Sequence, residues 1–213
     1  MNINVYIDGF SLYYGCVKGT PYKWLDVSEI CRLMLPNDTI NDIYYFTANI
    51  ISRPNDPTQR IRQRYYLRAL RTIPNLSIIY GHFLTHNREL PLTVDLRQGV
   101  VTMVEVTKTV EKGSDVNLAT YMLNDAWLGK YEVAALISND SDFFAPIKII
   151  RQQLGLKVGI LSPISNPRQH PAAMLFNNSD FFKPIRTGVL ALSQFPPQIT
   201  DSRGTFSKPR SWY

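Results

Sequence analysis

The sequence predicts an α/β protein whose sheet is largely parallel and covered by helices on both faces. Short apolar segments of strand type alternate with amphipathic helical segments along most of the chain, which is typical of βαβ units. Acidic residues follow the ends of two of these strands, in one case directly and in the other after two residues. Ligands of parallel sheets bind beyond the carboxyl ends of the strands, so this edge is the expected site.

Each element is predicted from its apolar spacing and from the residues that interrupt it. The predicted strands are 3–7, 43–50, 76–83, 131–137 and 157–161, with a short final strand after Asp180. The predicted helices are 26–34, 56–71, 114–128 and 142–153, with Asp56 and Ser114 as N-caps. Segments 92–96 and 100–110 flank Arg97-Gln98-Gly99, which indicates a small β-hairpin insertion.

Composition favours one globular domain with an anionic partner. The 213 residues are 45% hydrophobic and carry a formal charge of +6. Cys16 and Cys31 form neither a CxxC pair nor a metal spacing with histidine, so a reduced, cytoplasmic chain is expected. No apolar run reaches the ~18 residues that cross a bilayer, so no membrane association is expected. Self-association stays open.

The predicted domain spans residues 1–187, and a tail follows at 188–213. The tail is rich in Pro, Ser and Thr, and an irregular path is expected. Its aromatic and basic residues are compatible with stacking on single-stranded bases. A strap that packs Trp212 on the core is the preferred interpretation.

Four aspartates are predicted to meet at the carboxyl edge of the sheet. Asp8 follows the first strand directly, and Asp140 and Asp142 follow the strand 131–137 at alternating positions. Asp115 lies in the first turn of a helix, at the head of the apolar stripe that starts at Leu118. Carboxylates this close repel one another, and a divalent cation removes the repulsion. Hard oxygen ligands favour Mg²⁺ or Mn²⁺, which can activate a water against a phosphodiester.

Simpler interpretations of these acids stay open. Asp8 before a glycine is also typical of a turn, and Asp115 at a helix start favours the macrodipole. Asp140 or Asp142 is also a suitable helix cap. Three further acids are predicted to lie on the surface: Asp26, Asp125 and Asp201.

The helix 56–71 is predicted to bind RNA phosphates. Its arginines fall within about 80° of arc at 100° per residue; they are Arg60, Arg64, Arg68 and Arg71. No acid lies between residues 57 and 73 to neutralise them, whereas a solvated helix normally mixes both signs. Phosphate binding explains this one-sided pattern better.

Three short segments of the sequence each place an acidic residue at the predicted end of a strand or start of a helix. They are Asp8-Gly9-Phe10, EKGSDVNLA at 111–119, and ISNDSDF at 137–143. Together they resemble the NYN domain family, part of the PIN-like nuclease group, over about residues 1–185. The resemblance implies a three-layer α/β/α sandwich of PIN-like, Rossmann-like type and a metal-dependent ribonuclease. Asp8, Asp115, Asp140 and Asp142 fall on the family's catalytic and metal-binding acids.

The same resemblance extends to residues around these acids. Ser11 and Asn139 are the expected supporting polar residues, and Lys112 joins the arginines as an expected RNA contact. Many members have Asn where Ser11 stands and an acid where Tyr121 stands.

Other functions compete with RNA cleavage. A non-catalytic RNA-binding or regulatory module could use the same fold, although all four acids are present. A metal-dependent phosphatase with a nucleophilic aspartate needs a second acid two residues after Asp8, where Phe10 stands. A nucleotide-sugar enzyme could use Asp140-Ser141-Asp142 as its DxD motif, but the basic helix does not favour it.

Overall fold

The structure is a computed structural model that describes residues 1–52, 54–93, 99, 101–164 and 172–212. Its strands are β1 (Asn2–Asp8), β2 (Thr39–Thr47), β3 (Leu76–Tyr80), β4 (His82–Pro91), β5 (Met103–Lys112), β6 (Val133–Ile137), β7 (Lys157–Ser162), β8 (Phe181–Pro184), β9 (Gln198–Asp201) and β10 (Gly204–Ser207). Six of them form one parallel sheet in the order β3-β2-β1-β6-β7-β8. The predicted α/β class with a mostly parallel sheet is confirmed.

Helices lie between the strands of this sheet and directly after the last of them. They are α1 (Gly9–Leu12), which continues as a π-helical turn (Tyr13–Val17), α2 (Val27–Met34), α3 (Gln59–Leu70), α4 (Ser114–Trp127), α5 (Phe144–Gln152), α6 (Ala173–Asn177) and α7 (Thr187–Leu192). Short 3₁₀ helices occupy Ser141–Phe143 and Arg210–Trp212. No helix in the described ranges is long and apolar enough to cross a membrane.

The sheet lies between two layers of helices, and an apolar core fills the space on each of its faces. Alternate residues of β1 point to opposite faces, so Val5 and Ile7 enter one core and Tyr6 enters the other. The first core holds the buried sides of α1, α2, α3 and α7, and the second holds those of α4, α5 and α6. β1 lies between β2 and β6, which brings the end of β1 beside the end of β6.

The predicted hairpin lies at a different place in the chain. Its arms are β4 and β5, which pair antiparallel from His82↔Lys112 to Pro91↔Met103. The predicted strand 76–83 is confirmed for residues 76–80, but its predicted end is wrong, because the sheet strand ends at Tyr80. Gly81 lies between β3 and β4, where a Cβ would meet Glu111 and the backbone of Lys112. The predicted first arm, 92–96, and the turn Arg97-Gln98 lie largely outside the described residues.

Both predicted N-caps are wrong. α3 begins at Gln59, and Asp56 instead forms an ion pair with Arg62. α4 is capped by Gly113, whose φ of 95° suits glycine, and Ser114 is already its first helical residue. The expected irregular tail is also wrong, because it contains α7 and the β9–β10 hairpin. Trp212 packs against the first core.

Candidate active site

Asp8 ends β1 as a buried carboxylate. One oxygen, Oδ1, accepts hydrogen bonds from the N–H groups of Phe10 (3.0 Å) and Ser11 (2.9 Å), which begins α1. The other, Oδ2, accepts one from the Ser138 hydroxyl at 3.1 Å. Burial raises the pKa of Asp8, and the hydrogen bonds from Ser11, Ser138 and Phe10 oppose that rise. Asp8 is therefore both a helix cap and an acid held rigidly at the sheet edge.

Ser138 joins the two halves of the acidic edge. This fully buried residue follows β6, donates to Asp8, accepts the Asp140 N–H at 3.1 Å and lies 3.2 Å from the Ser11 hydroxyl. Asp140 in turn accepts the N–H of Asp142 at 3.0 Å through Oδ1. Sequence reasoning missed Ser138, although its place directly after a buried strand was a usable signal.

Asp115 connects α4 electrostatically with the strand ends. Although the side chain of Asp115 keeps much of its surface in solvent, its partial desolvation, and after that the negative charges of Asp8, Glu111, Asp140 and Asp142, raise the pKa of Asp115 to about 6. The structure thus brings Asp8, Asp140 and Asp142 within electrostatic reach of Asp115. Glu111, which sequence reasoning did not include in the site, is a fifth acid. Its carboxylate accepts from the N–H (3.1 Å) and hydroxyl (2.7 Å) of Ser114.

The donor set suits a hard divalent cation. Carboxylate oxygens are the ligands that Mg²⁺ and Mn²⁺ prefer, and desolvation together with the charges of neighbouring acids raises the pKa of Asp115. In the described part of the chain, no three His, Cys, Asp or Glu side chains are arranged so that they could hold a metal ion. Hydrogen bonds from backbone N–H groups hold the carboxylates of Asp8 and Asp140 in the positions described.

A polar cleft borders this edge. It has a volume of about 450 Å³, and Ser11, Asn139 and Asp140 are among its lining residues. Asn139 also accepts the Ala172 N–H at 2.9 Å, so it holds the chain before α6. Lys112 is exposed at the end of β5, opposite His82. Tyr121 contacts the rings of Tyr44 and Phe46 edge-on.

The arginines of α3 do not form one free stripe. Arg60, Arg64 and Arg71 are exposed. Arg68 instead forms a bidentate ion pair with Asp201, in which Nε donates to Oδ2 at 2.7 Å and Nη2 donates to Oδ1 at 2.6 Å. Its guanidinium also lies over the Phe206 ring. The expectation that no acid neutralises this helix is therefore wrong for Arg68, because its partner comes from the distant tail.

The three acids expected on the surface have structural roles. Asp125 is 1% exposed, accepts the Tyr6 hydroxyl at 2.9 Å and pairs with Lys130 at 2.9 Å, so its assignment to the surface is wrong. Asp26 caps α2 through the N–H groups of Ser28 and Glu29. Asp201 anchors the tail to Arg68.

The fold and the acidic edge define an α/β protein of PIN-like type. The NYN domain model matches residues 2–185, so the chain belongs to the NYN domain family, and the resemblance in the sequence is confirmed. It is 30% identical to 6-hydroxy-3-succinoylpyridine 3-monooxygenase HspA of Pseudomonas putida, over 100% of this chain and 76% of that protein. A solved protein of unknown function from Vibrio parahaemolyticus is similar in fold, with a TM-score of 0.56, 17% identity and coverage of 86% of this chain and 92% of that chain.

Asp115→Asn is expected to stabilise the metal-free protein at neutral pH. The pKa of Asp115 is higher in the folded chain, about 6, than the ordinary 3.8, so ionising it lowers stability progressively as pH rises through that interval. In EDTA at pH 8 the variant should gain about 1 kcal/mol in unfolding free energy, a value discounted for solvent exposure. Below pH 3.8 the difference should vanish.

Urea unfolding at several pH values measures this difference. Asp42→Asn, in β2, removes a carboxylate away from the cluster and should not reproduce the gain. Equal stability of Asp115→Asn and wild type at pH 8 would contradict the electrostatic description of the edge.

Proposed function

We propose that the protein is a metal-dependent ribonuclease that hydrolyses RNA phosphodiester bonds at the carboxyl edge of its sheet. The observation that carries the proposal is the convergence of charge on Asp115, whose pKa is raised to about 6 by partial desolvation and by four neighbouring acids. An uncompensated acidic cluster is costly to keep unless a cation uses it. Strand ends of a parallel sheet are also the usual place for a catalytic site.

Asp8, Asp115, Asp140 and Asp142 would hold Mg²⁺ or Mn²⁺. The ion, when bound, supplies Lewis acidity that stabilises charge on the phosphate and makes a water more acidic. The chain's own residues provide rigidity. Ser138 fixes the relative positions of Asp8 and Asp140, and the backbone N–H groups of α1 restrain Asp8.

The RNA would approach along the polar cleft beside Ser11, Asn139 and Asp140. α3 begins on the side of the sheet where β2 ends, so its first exposed arginines, Arg60 and Arg64, are the best placed to contact flanking phosphates. Lys112, on the segment that leads into α4, is a third candidate contact. Arg68 is less suitable, because its guanidinium already binds Asp201.

The direct test is cleavage of a labelled single-stranded RNA with Mn²⁺, with Mg²⁺ or with EDTA. Cleavage that requires the metal supports the proposal. Tight RNA binding without cleavage under all three conditions would favour a non-catalytic RNA-binding or regulatory module on the same fold.

Replacing Arg60 and Arg64 together by Ala is expected to weaken RNA binding and reduce its salt dependence. Each lost phosphate contact lowers the slope of log K against log salt by about 0.7 for single strands, so the pair should lower it by about 1.4. The matched control is the double variant Arg32→Ala with Lys157→Ala, which removes two exposed cations from α2 and from the start of β7. Binding titrations between low and moderate salt measure both slopes. An unchanged slope in the α3 variant would exclude this helix from the interface.

A second candidate function is oxygenation of a small heteroaromatic acid. It is favoured by the name of the Pseudomonas putida relative, a 6-hydroxy-3-succinoylpyridine 3-monooxygenase that matches the whole chain. The test is oxygen consumption with that pyridine and a two-electron reductant such as NADH. Consumption that depends on the pyridine and yields a hydroxylated ring would support this candidate over RNA hydrolysis.

A further inference from the structure

A second cavity lies on the other face of the sheet. It has a volume of about 260 Å³, and Tyr45 and Thr47 of β2 are among its lining residues. Tyr45 belongs to the first core, whereas Tyr6, which points to the same face as Asp8, belongs to the second. The cavity therefore lies on the face of the sheet opposite Tyr6, but it adjoins the acidic edge: Gly9 and Phe10 line it directly after Asp8, and Tyr14 lines both the cavity and the polar cleft.

Aromatic side chains form much of the cavity wall. Tyr66 connects Tyr45 and Trp212, with ring centroids 6.3 and 6.2 Å away. Tyr13 and Tyr14 form another aromatic pair at 5.2 Å. Apolar walls with a few polar groups are typical of small-molecule sites. A dry cavity of about 150 Å³ accepts benzene, so this one has room for a substituted ring or a fused ring pair.

The cavity also offers one unpaired positive charge. Two cationic side chains line it, Arg62 and Lys23. Arg62 is already paired with Asp56. Lys23 is only partly exposed, and within the described residues it has no ion-pair partner. An ammonium beside an aromatic cavity fits a ligand that joins a planar ring to an anionic group.

We propose that this cavity binds a planar heteroaromatic ring bearing an anionic group, with the ring among Tyr45, Tyr66 and Trp212 and the anion at Lys23. A nucleotide, free or at the end of an RNA, and a free aromatic carboxylate share this chemistry. The proposal goes beyond RNA hydrolysis, because none of the four aspartates lines the cavity and binding there needs no metal.

Isothermal titration of the full chain in EDTA tests the site with three probes: adenosine 5′-monophosphate, pyridine-3-carboxylate and the neutral pyridine-3-carboxamide. At least one anionic probe should bind wild type. Pyridine-3-carboxylate should bind about tenfold or more tightly than the carboxamide, the factor expected from one charge-assisted hydrogen bond. Tighter binding of the nucleotide identifies a nucleic-acid source of the ring, and tighter binding of the pyridine acid identifies a free small molecule.

Substitutions at lining and control positions test whether the probes bind in this cavity. Lys23→Gln should abolish the preference for carboxylate over carboxamide, whereas Lys157→Gln, at the start of β7, should keep it. Gln59→Trp places a bulky ring at a partly exposed lining position and should block every probe. Asp140→Asn should bind the probes normally, which separates this proposal from the fate of RNA hydrolysis. No binding of either anionic probe at millimolar concentration, or an unchanged preference in Lys23→Gln, would overturn it.

Discussion

Asp140→Asn is expected to lower metal-dependent RNA cleavage at least about a hundredfold, because the metal's stabilisation of charge at the phosphate is worth several kcal/mol. The substitution removes one negative charge from the proposed ligand set. It keeps an oxygen at the position of Oδ1, which accepts the Asp142 N–H. Asparagine is as good an N-cap as aspartate, so the 3₁₀ turn Ser141–Phe143 should persist.

The choice of Asn makes the result interpretable. Asp140→Ala would also remove the cap, which costs about 1 kcal/mol, and would mix a folding defect with a catalytic one. Asp42→Asn in β2 is the matched control, because it removes a carboxylate outside the cluster. Labelled-RNA cleavage with Mn²⁺ and thermal unfolding should be measured on the same samples. Full cleavage by Asp140→Asn would refute the assignment of the site.

The strand ends could be predicted because their signals are local. A buried strand is visible as a short apolar run, and the parallel arrangement then places Asp8 and Asp140 at one edge without further information. Ser138 and Glu111 could not be assigned in the same way. The role of Ser138 depends on two acids from separate strands, and that of Glu111 on how β5 leads into α4.

The predictions for Asp125 and Arg68 were wrong because each side chain has a partner that is distant in the sequence, Tyr6 and Asp201 respectively. Asp125 was expected in solvent because a lone acid usually lies there, but the Tyr6 hydroxyl and Lys130 satisfy it in a buried position. Arg68 was expected to be free because local sequence offers no acid, but the tail returns and places Asp201 against it. Helical periodicity contains no information about either contact.

Trp24→Ala is expected to destabilise the whole protein by about 3–5 kcal/mol, the usual effect of removing a buried Trp or Phe side chain. Trp24 is fully buried, and its ring lies 5.9–6.4 Å from the rings of Tyr66, Phe195, Phe206 and Trp212. Its Nε1–H donates to the Pro196 carbonyl at 2.8 Å. Three of those rings and the carbonyl belong to residues 195–212, so this side chain fastens the tail to the core.

Two variants separate packing from other causes, and urea unfolding followed by circular dichroism compares them with wild type. Trp24→Phe keeps a ring but leaves the Pro196 carbonyl without its donor, and should cost about 1–2 kcal/mol. Trp127→Ala removes the same side chain at a position that is 65% exposed, and should change stability by less than about 0.5 kcal/mol. If the tail folded as a separate unit, Trp24→Ala would give two transitions with the main one unchanged. A single transition shifted to lower urea would mean that residues 188–213 belong to the cooperative fold, because their rings complete the core around Trp24.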